Sequence, residues 1–530
     1  GQTVVDLSFL KAGFFIERPL GENQAMYFSV RQSLFQYYIE NFLDDEEFEF
    51  TTVPEYYDYQ GKYEYRISDT ERVSVQINGA RDKAGILFDE ESDQVLQDPG
   101  LSGGLDFEQY FNSQGILWEK FYDNGLSQKI GFSQLEQKFR FGIGDTASIN
   151  VKTNDYRLRG QFYYPINLDH ELNFGVDYSH EQIGYKGFYS GPPCDEFDPD
   201  CRLVDGDETV EGEGKFPVRT INLNLADRWY ALDNLSVTPG VLYSKDDYTD
   251  ETFIEPKLKS QWDFASYWAL NLGYGQYHTF PDNLGNFVED FGNPDLKLPK
   301  ATHWSAGLSH QFRDDLLIKL DTYYKKMDRL IVGKVDQSYY PELTDEEYSE
   351  LPRYTNDAHG EAWGVELFVN KDLTDRWYGW TSVAWSRTKR KHDVTGEEFR
   401  YAYDQPIIIN SVASYQANEN WTIGLKWRYQ SGQLITPLLY AEQDEDDPEL
   451  YNPVYGDLNS ERLPAYHKMD LRADRSFYFE RWEMDLYFEI LNLYGRKNVV
   501  DYEYKNADYS EKEPVTDLTT IVSLGIKATF

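Results

Sequence analysis

Clustered carboxylates are the first candidates for chemistry in this sequence. The stretch 438–457 carries Glu442, Asp444, Glu445, Asp446, Asp447 and Glu449 beside Tyr440, Tyr451 and Tyr455. The stretch 194–208 carries Asp195, Glu196, Asp198, Asp200, Asp205, Asp207 and Glu208. Hard cations such as calcium take about six to eight oxygen ligands, which makes Asp444, Asp446, Asp447, Asp205 and Asp207 candidate metal ligands. Neither stretch has the D-x-D-x-D-G loop with its distal Glu. A solvated acidic surface accounts for the same residues. A second group is aromatic. Phe280, Phe287, Phe291, Tyr339 and Tyr340, with Tyr440 and Tyr451, could stack on a sugar, a haem-like ring or an aromatic chelate. Packing on one another or in an interfacial girdle is the alternative. Cys194 and Cys201 stand close together in PPCDEFDPDC. Their spacing predicts a small disulfide staple formed in an oxidising compartment, with two free thiols as the alternative. No second Cys or His pair stands at zinc spacing. The eight histidines are scattered. There is no H-E-x-x-H, G-x-S-x-G or Walker loop, so the sequence supports no enzyme.

Composition narrows the elements that must position these residues. The 530 residues carry 51 Lys and Arg against 92 Asp and Glu, a net charge of −41. That balance argues against a nucleic-acid partner, which requires a basic footprint. Aromatics make up 16% of the chain but all hydrophobic residues only 40%, lean for a set of soluble cores. No apolar run is long enough for a membrane-spanning helix. No basic, apolar and small-residue succession marks a signal peptide, so any targeting segment is expected upstream of Gly1 or already removed.

The strongest pattern has period two. Trp421, Ile423, Leu425, Trp427 and Tyr429 alternate with Thr422, Gly424, Lys426, Arg428 and Gln430. Met484, Leu486, Phe488 and Ile490 alternate with Glu483, Asp485, Tyr487 and Glu489. Val522, Leu524, Ile526, Ala528 and Phe530 alternate with Ser523, Gly525, Lys527 and Thr529. Successive strand side chains point to opposite faces, so each segment has one apolar and one polar face. A soluble sandwich or propeller would bury the apolar face. A membrane barrel turns it to lipid and the polar face to a wet lumen. Charges such as Lys426, Arg428, Glu483 and Asp485 on the polar face favour the barrel, as do aromatics near strand ends.

Connections fall into two alternating length classes. Short turns read near 18–24, 68–70, 123–125, 165–170, 231–234, 264–266, 313–314, 372–375, 417–420 and 480. Longer ones read near 39–54, 84–107, 139–147, 188–215, 280–300, 333–357, 391–402, 432–464 and 498–517, with a shorter member near 249–251. Short periplasmic turns and long external loops produce this order in an all-β, antiparallel up-and-down transmembrane barrel. About ten connections of each class separate about 21 strands, and residues 1–530 form one barrel domain. Single-chain bacterial barrels usually have an even count. The parity therefore predicts a first strand lost upstream of Gly1, with Gly1 on the external side.

Several stretches resemble TonB-dependent outer-membrane receptors. FGNPDLKLPKATHWSAGLSHQF (291–312) is similar to a recurring loop and strand of that family. AGFFIERPL (12–20), YYDYQGKYEY (56–65), YDQP (403–406), RLPAYHKMDLR (462–472) and EILNLYGRKNVVDYEY (489–504) fit the same family in order. Gly525, Ala528 and the terminal Phe530, with Ser523, resemble the C-terminal signal by which outer-membrane proteins address their assembly machinery. The resemblance implies a 22-stranded barrel in the outer membrane of a Gram-negative bacterium, with AGFFIERPL as its second strand. It also implies a plug domain, expected upstream of Gly1 or as a separate chain, and coupling to TonB–ExbB–ExbD. The implied function is active uptake of a nutrient or metal chelate, with membrane lipid and lipopolysaccharide as surroundings, the latter bridged to the acidic surface through divalent ions. A structural barrel that anchors a surface lipoprotein or complex, or a plugless passive pore, is the alternative.

Overall fold

A computed structural model describes residues 1–37, 52–87, 95, 97, 101–144, 146–190, 209–280, 284–335, 337–444, 451–517 and 519–530. One antiparallel sheet encircles the molecule. It counts 23 strands; three-residue Glu398–Arg400 pairs only with Trp377–His392, which leaves 22 staves in the closed ring. The last stave, Ile521–Thr529, pairs with the first, Thr3–Ser8, through Val4 opposite Thr529 to Ser8 opposite Gly525. Closure removes both sheet edges and satisfies the backbone groups that hydrocarbon would leave unpaired.

This closure corrects the strand count and the side assigned to Gly1. The first stave is present, and Phe9–Leu10 connects it to Lys11–Gly21. AGFFIERPL does lie in the second stave. The first one escapes sequence reading because TVVDLS is short and no Gly, Pro or Asn punctuates the step to Lys11. The Thr3 N–H donates to the Phe530 carbonyl at 3.0 Å, and the Phe530 N–H donates to the Thr3 carbonyl at 2.8 Å. Gly1 therefore lies at the rim that carries the C-terminus and the short turns.

The ten short turns stand at the sequence-derived places, from Glu22–Asn23 to the bend between Tyr478 and Glu483. The register carries one apolar face around the ring. Leu425 sits between Ala413 and Leu471, Leu471 opposes Ile490, and Ile490 opposes Val522. Val5, opposite Ala528 on that same face, continues it past the closure with Phe14 and Val30. Leu425, Leu524 and Ile526 are exposed, as an outer wall meant for lipid requires. The inner wall is polar and ion-paired. Arg157 Nη2 lies 3.3 Å from Asp155 and 3.7 Å from Glu181, and Arg72 Nε lies 2.6 Å from Glu119. Aromatics crowd the short-turn rim, where Trp482 stacks between Phe479 and Phe530 at centroid distances of 4.3 and 5.5 Å.

One short turn is locked electrostatically. Lys371 Nζ donates to Asp315 Oδ2 at 2.6 Å, and Thr374 Oγ1 donates to the same oxygen at 2.7 Å. Lys371, then Thr374, hold the Asp315 carboxyl down at about 2. A depressed carboxylate stabilises the fold fully above the ordinary carboxylate range and loses that contribution as pH falls through the depressed value. The amide protons of residues 372–376 are therefore expected to keep constant protection from pH 8 to pH 4 and to lose it near pH 2. Loss of protection already at pH 4 to 5 would show that the lock does not hold Asp315.

Candidate functional site

The buried apolar residues gather at the opposite rim, under the connection 279–299 between Trp268–His278 and Lys300–Arg313. Residues 284–299 of this strap fold into the mouth of the barrel. At one end Val288 and Phe291 pack on Ile143 and Ala147, with Phe141, Val210 and Phe216 around them. Ile143, Ala147 and Tyr185 lie on the inner face, by alternation from the outward Phe132, Leu158 and Tyr178. At the other end Phe287, Leu296 and Leu298 form a second cluster with Phe253 and Tyr354.

Ring contacts join the two clusters. Phe216 stacks on Tyr248 at 4.7 Å, Tyr248 meets Phe280 edge-on at 6.1 Å, and Phe280 stacks on Phe287 at 5.2 Å. Tyr185 meets Phe291 at 6.0 Å, and its hydroxyl donates to Asp290 Oδ2 at 2.8 Å. The Tyr248 hydroxyl donates to the Phe287 carbonyl at 3.1 Å, and burial pushes its pKa above the ordinary phenol value. Polar contacts pin the second half of the strap. Asn293 Nδ2 donates to the Tyr354 carbonyl at 2.8 Å, and the Leu298 N–H donates to Glu251 Oε2 at 2.7 Å. Arg329 holds the other Glu251 oxygen at 2.7 Å. Asn356 brackets Lys297 through both its N–H and its carbonyl, at 2.7 and 2.9 Å.

Gly292, within the G-N-P stretch, permits the tight fold. A Cβ there would lie 2.2 Å from the Asn286 carbonyl oxygen and 2.4 Å from that of Gly285, both backbone. Gly292→Ala is expected to destabilise the strap by about 1–3 kcal/mol, the usual cost of forcing atoms into a packed site. Limited proteolysis should then cut within 279–299 faster while the amount of folded barrel stays the same. Unchanged cleavage would mean the strap has room that the geometry denies.

The scaffold is a closed 22-stave ring around a polar lumen, with a strap carrying G-N-P across its mouth. The family model described as TonB dependent receptor-like, beta-barrel, matches residues 28–493. The chain belongs to the TonB-dependent receptor family. Similar solved structures include the outer-membrane transporter YddB of Escherichia coli, 13% identical with a TM-score of 0.68, over 100% of this chain and 80% of that one. A variant of the ferric enterobactin receptor of Pseudomonas aeruginosa in complex with enterobactin is 13% identical with a TM-score of 0.70, over 100% and 81%. The ferripyoverdine receptor of the same species, bound to ferripyoverdine, is 13% identical with a TM-score of 0.69, over 100% and 71%. No curated protein matches this sequence. Family membership places the protein in the Gram-negative outer membrane, among receptors and transporters rather than enzymes. The short-turn rim is therefore periplasmic and the strap external.

Among the sequence-derived ligand candidates, the fold unites Phe280, Phe287 and Phe291. Phe287 is fully buried and Phe291 nearly so, so their rings are spent on seating the strap. Tyr339 is exposed on the next external loop, and Tyr340 packs on Tyr348. Tyr440 and Tyr451 belong to an external hairpin made of Leu438–Gln443 and Tyr451–Tyr455. Asp444 follows that hairpin's first strand and accepts from Asn452 Nδ2 at 2.8 Å. Asp446, Asp447, Asp205, Asp207, Cys194 and Cys201 lie outside the described residues. Among the described residues no three His, Cys, Asp or Glu side chains stand close enough to hold a metal ion. Gly525 and Ala528 lie in the closing stave and Phe530 just beyond it. Sequence reading missed Tyr185 and Phe216, which alternate along their strands like any inner-wall aromatic, and Tyr248, which lies in the polar bend after Leu235–Asp246. Only the strap's position singles them out.

Proposed function

We propose that this protein actively imports a nutrient or metal chelate, taken from outside by the external loops and passed through the barrel. The observation that carries the reading is the family match across most of a closed 22-stave barrel with a charged, water-compatible lumen. Such a lumen is wide enough for a whole domain. In this reading a plug domain, on this polypeptide or a separate one, fills it and couples to TonB–ExbB–ExbD. The receptors for ferric enterobactin and ferripyoverdine among the structural neighbours make metal chelates the first class to assay. In this reading calcium binds at the acidic external loops and stabilises their structure rather than serving as cargo.

The test is accumulation of labelled chelates and oligosaccharides by cells with and without the gene, before and after collapse of the proton-motive force. Uptake that requires both the gene and the force supports the reading. Gene-dependent uptake that survives collapse would establish a passive pore. Absence of uptake together with stable co-purification of a surface protein would establish an anchoring barrel.

A further inference from the structure

The outer wall above the lipid belt carries a cationic hollow in a protein of net charge −41. On strands Ser127–Ile143, Ala147–Pro165, His170–Ser190 and Thr209–Leu232, one outward rung reads Lys138, Lys152, Gly184, Lys215. The adjacent rung brings Arg140 and Lys186 beside it, through Asn150. Gly184 has no side chain, and a Cβ there would find only two carbonyl oxygens at 3.9 Å. The gap is the floor of a hollow of about 650 Å³ whose lining includes Lys138, Arg140, Lys152, Lys186 and Lys215 against only Glu108 and Glu213.

Its charges are only partly cancelled locally. Glu213 pairs with Lys186 at 2.9 Å, and Glu108 pairs with Arg81 at 2.7 Å. Lys138 and Lys152 share one carboxylate, Glu136, at 3.3 and 3.0 Å. Among the described residues Arg140 and Lys215 have no carboxylate partner, and both are exposed. Height also matters. Six residues down each strand the same outward face becomes Phe132, Leu158, Tyr178 and Ile221, all exposed and apolar. Six residues of strand span about 20 Å along its axis, or roughly 15 Å of height after barrel tilt. The cations therefore stand at headgroup level of the outer leaflet, facing sideways into the membrane rather than into the lumen.

We infer that this hollow binds the phosphorylated headgroup of an outer-leaflet glycolipid. Guanidinium and ammonium donors suit phosphate oxygens, and the belt below receives the acyl chains. The site is direct and cationic, distinct from divalent bridging by the acidic loops.

The test titrates bisphosphorylated lipid A, and the same lipid stripped of phosphate, into the full chain in neutral detergent. Removing the phosphates is expected to weaken binding about tenfold or more, as the loss of charge-assisted contacts implies. The triple variant Arg140→Gln, Lys152→Gln, Lys215→Gln should weaken the phosphorylated lipid to a similar degree. Equal affinity for the two lipids, or an unchanged triple variant, would overturn the inference. Displacement of the lipid by equimolar inorganic phosphate would overturn it too, since the hollow would then be a free-phosphate site. Should the triple variant fail to assemble, Lys215→Gln alone and the wild-type comparison of the two lipids decide the matter.

Discussion

Leu425→Arg is expected to cut sharply the yield of assembled barrel. Leu425 lies on the outer face between Ala413 and Leu471, with Ile423 and Trp427 two residues away on the same face. Trp421 marks the periplasmic girdle four residues below, so Leu425 stands about 10 Å into the apolar band, near its middle. A lipid-facing Arg at that depth costs about 2–4 kcal/mol, and less towards either interface. Urea unfolding in lipid vesicles, read by heat-modifiable gel mobility, should show the loss directly. Arg at Trp421 should cost little by the same measure. Equal stability of Leu425→Arg and wild type would mean the faces are inverted.

Asp404→Ala is the second large effect, and it acts on the external rim. The Asp404 side chain is 1% exposed and faces Arg387 and Arg462, each at 3.1 Å from Oδ2. Its other oxygen accepts the Thr388 N–H at 3.0 Å. Arg462 also donates to the Asp404 and Gly432 carbonyls, at 2.5 and 2.6 Å, which ties the connection 393–406 to the connection 431–465. Burial pulls the Arg462 guanidinium below its ordinary pKa, against the pull of Asp404. Removing Asp404 leaves that half-buried cation without its counter-charge. Breaking a buried pair costs about 3–5 kcal/mol, and partial exposure of both arginines reduces this to about 2–3 kcal/mol. Hydrogen exchange at Thr388 and at 431–435 should accelerate while the strand amides near the periplasmic turns keep their protection. Asp404→Asn retains the Thr388 contact and should lie between the two. No change at either place would show that the three residues do not form a working clamp.

Much of this architecture is legible in the chain because its causes are local. Period-two alternation, read residue by residue, assigns Leu425 outward and Lys426 inward, and the closed ring keeps both. Turn punctuation locates the ten short bends, because two or three residues suffice to specify each. Family resemblance rests on short stretches such as YDQP and RLPAYHKMDLR. The structure shows why two of them matter together: Asp404 from one binds Arg462 from the other.

What escaped the sequence depends on residues far apart in it. The first stave could be recognised only by its partner, since TVVDLS lacks the length and punctuation to declare itself and Val5 meets Ala528 more than five hundred residues away. Burial of Phe287 and Phe291 followed from where the strap comes to rest. Their residue type is equally suited to a ligand. The cationic hollow joins side chains from four staves around one glycine, and nothing within a single strand announces it. The sequence by itself determined the period, the faces and the turns, because each is set by neighbouring residues. The tertiary structure alone decided closure, the seat of the strap and the charge pattern of the outer wall, because each arises from strand register, which pairs residues that local preference cannot connect.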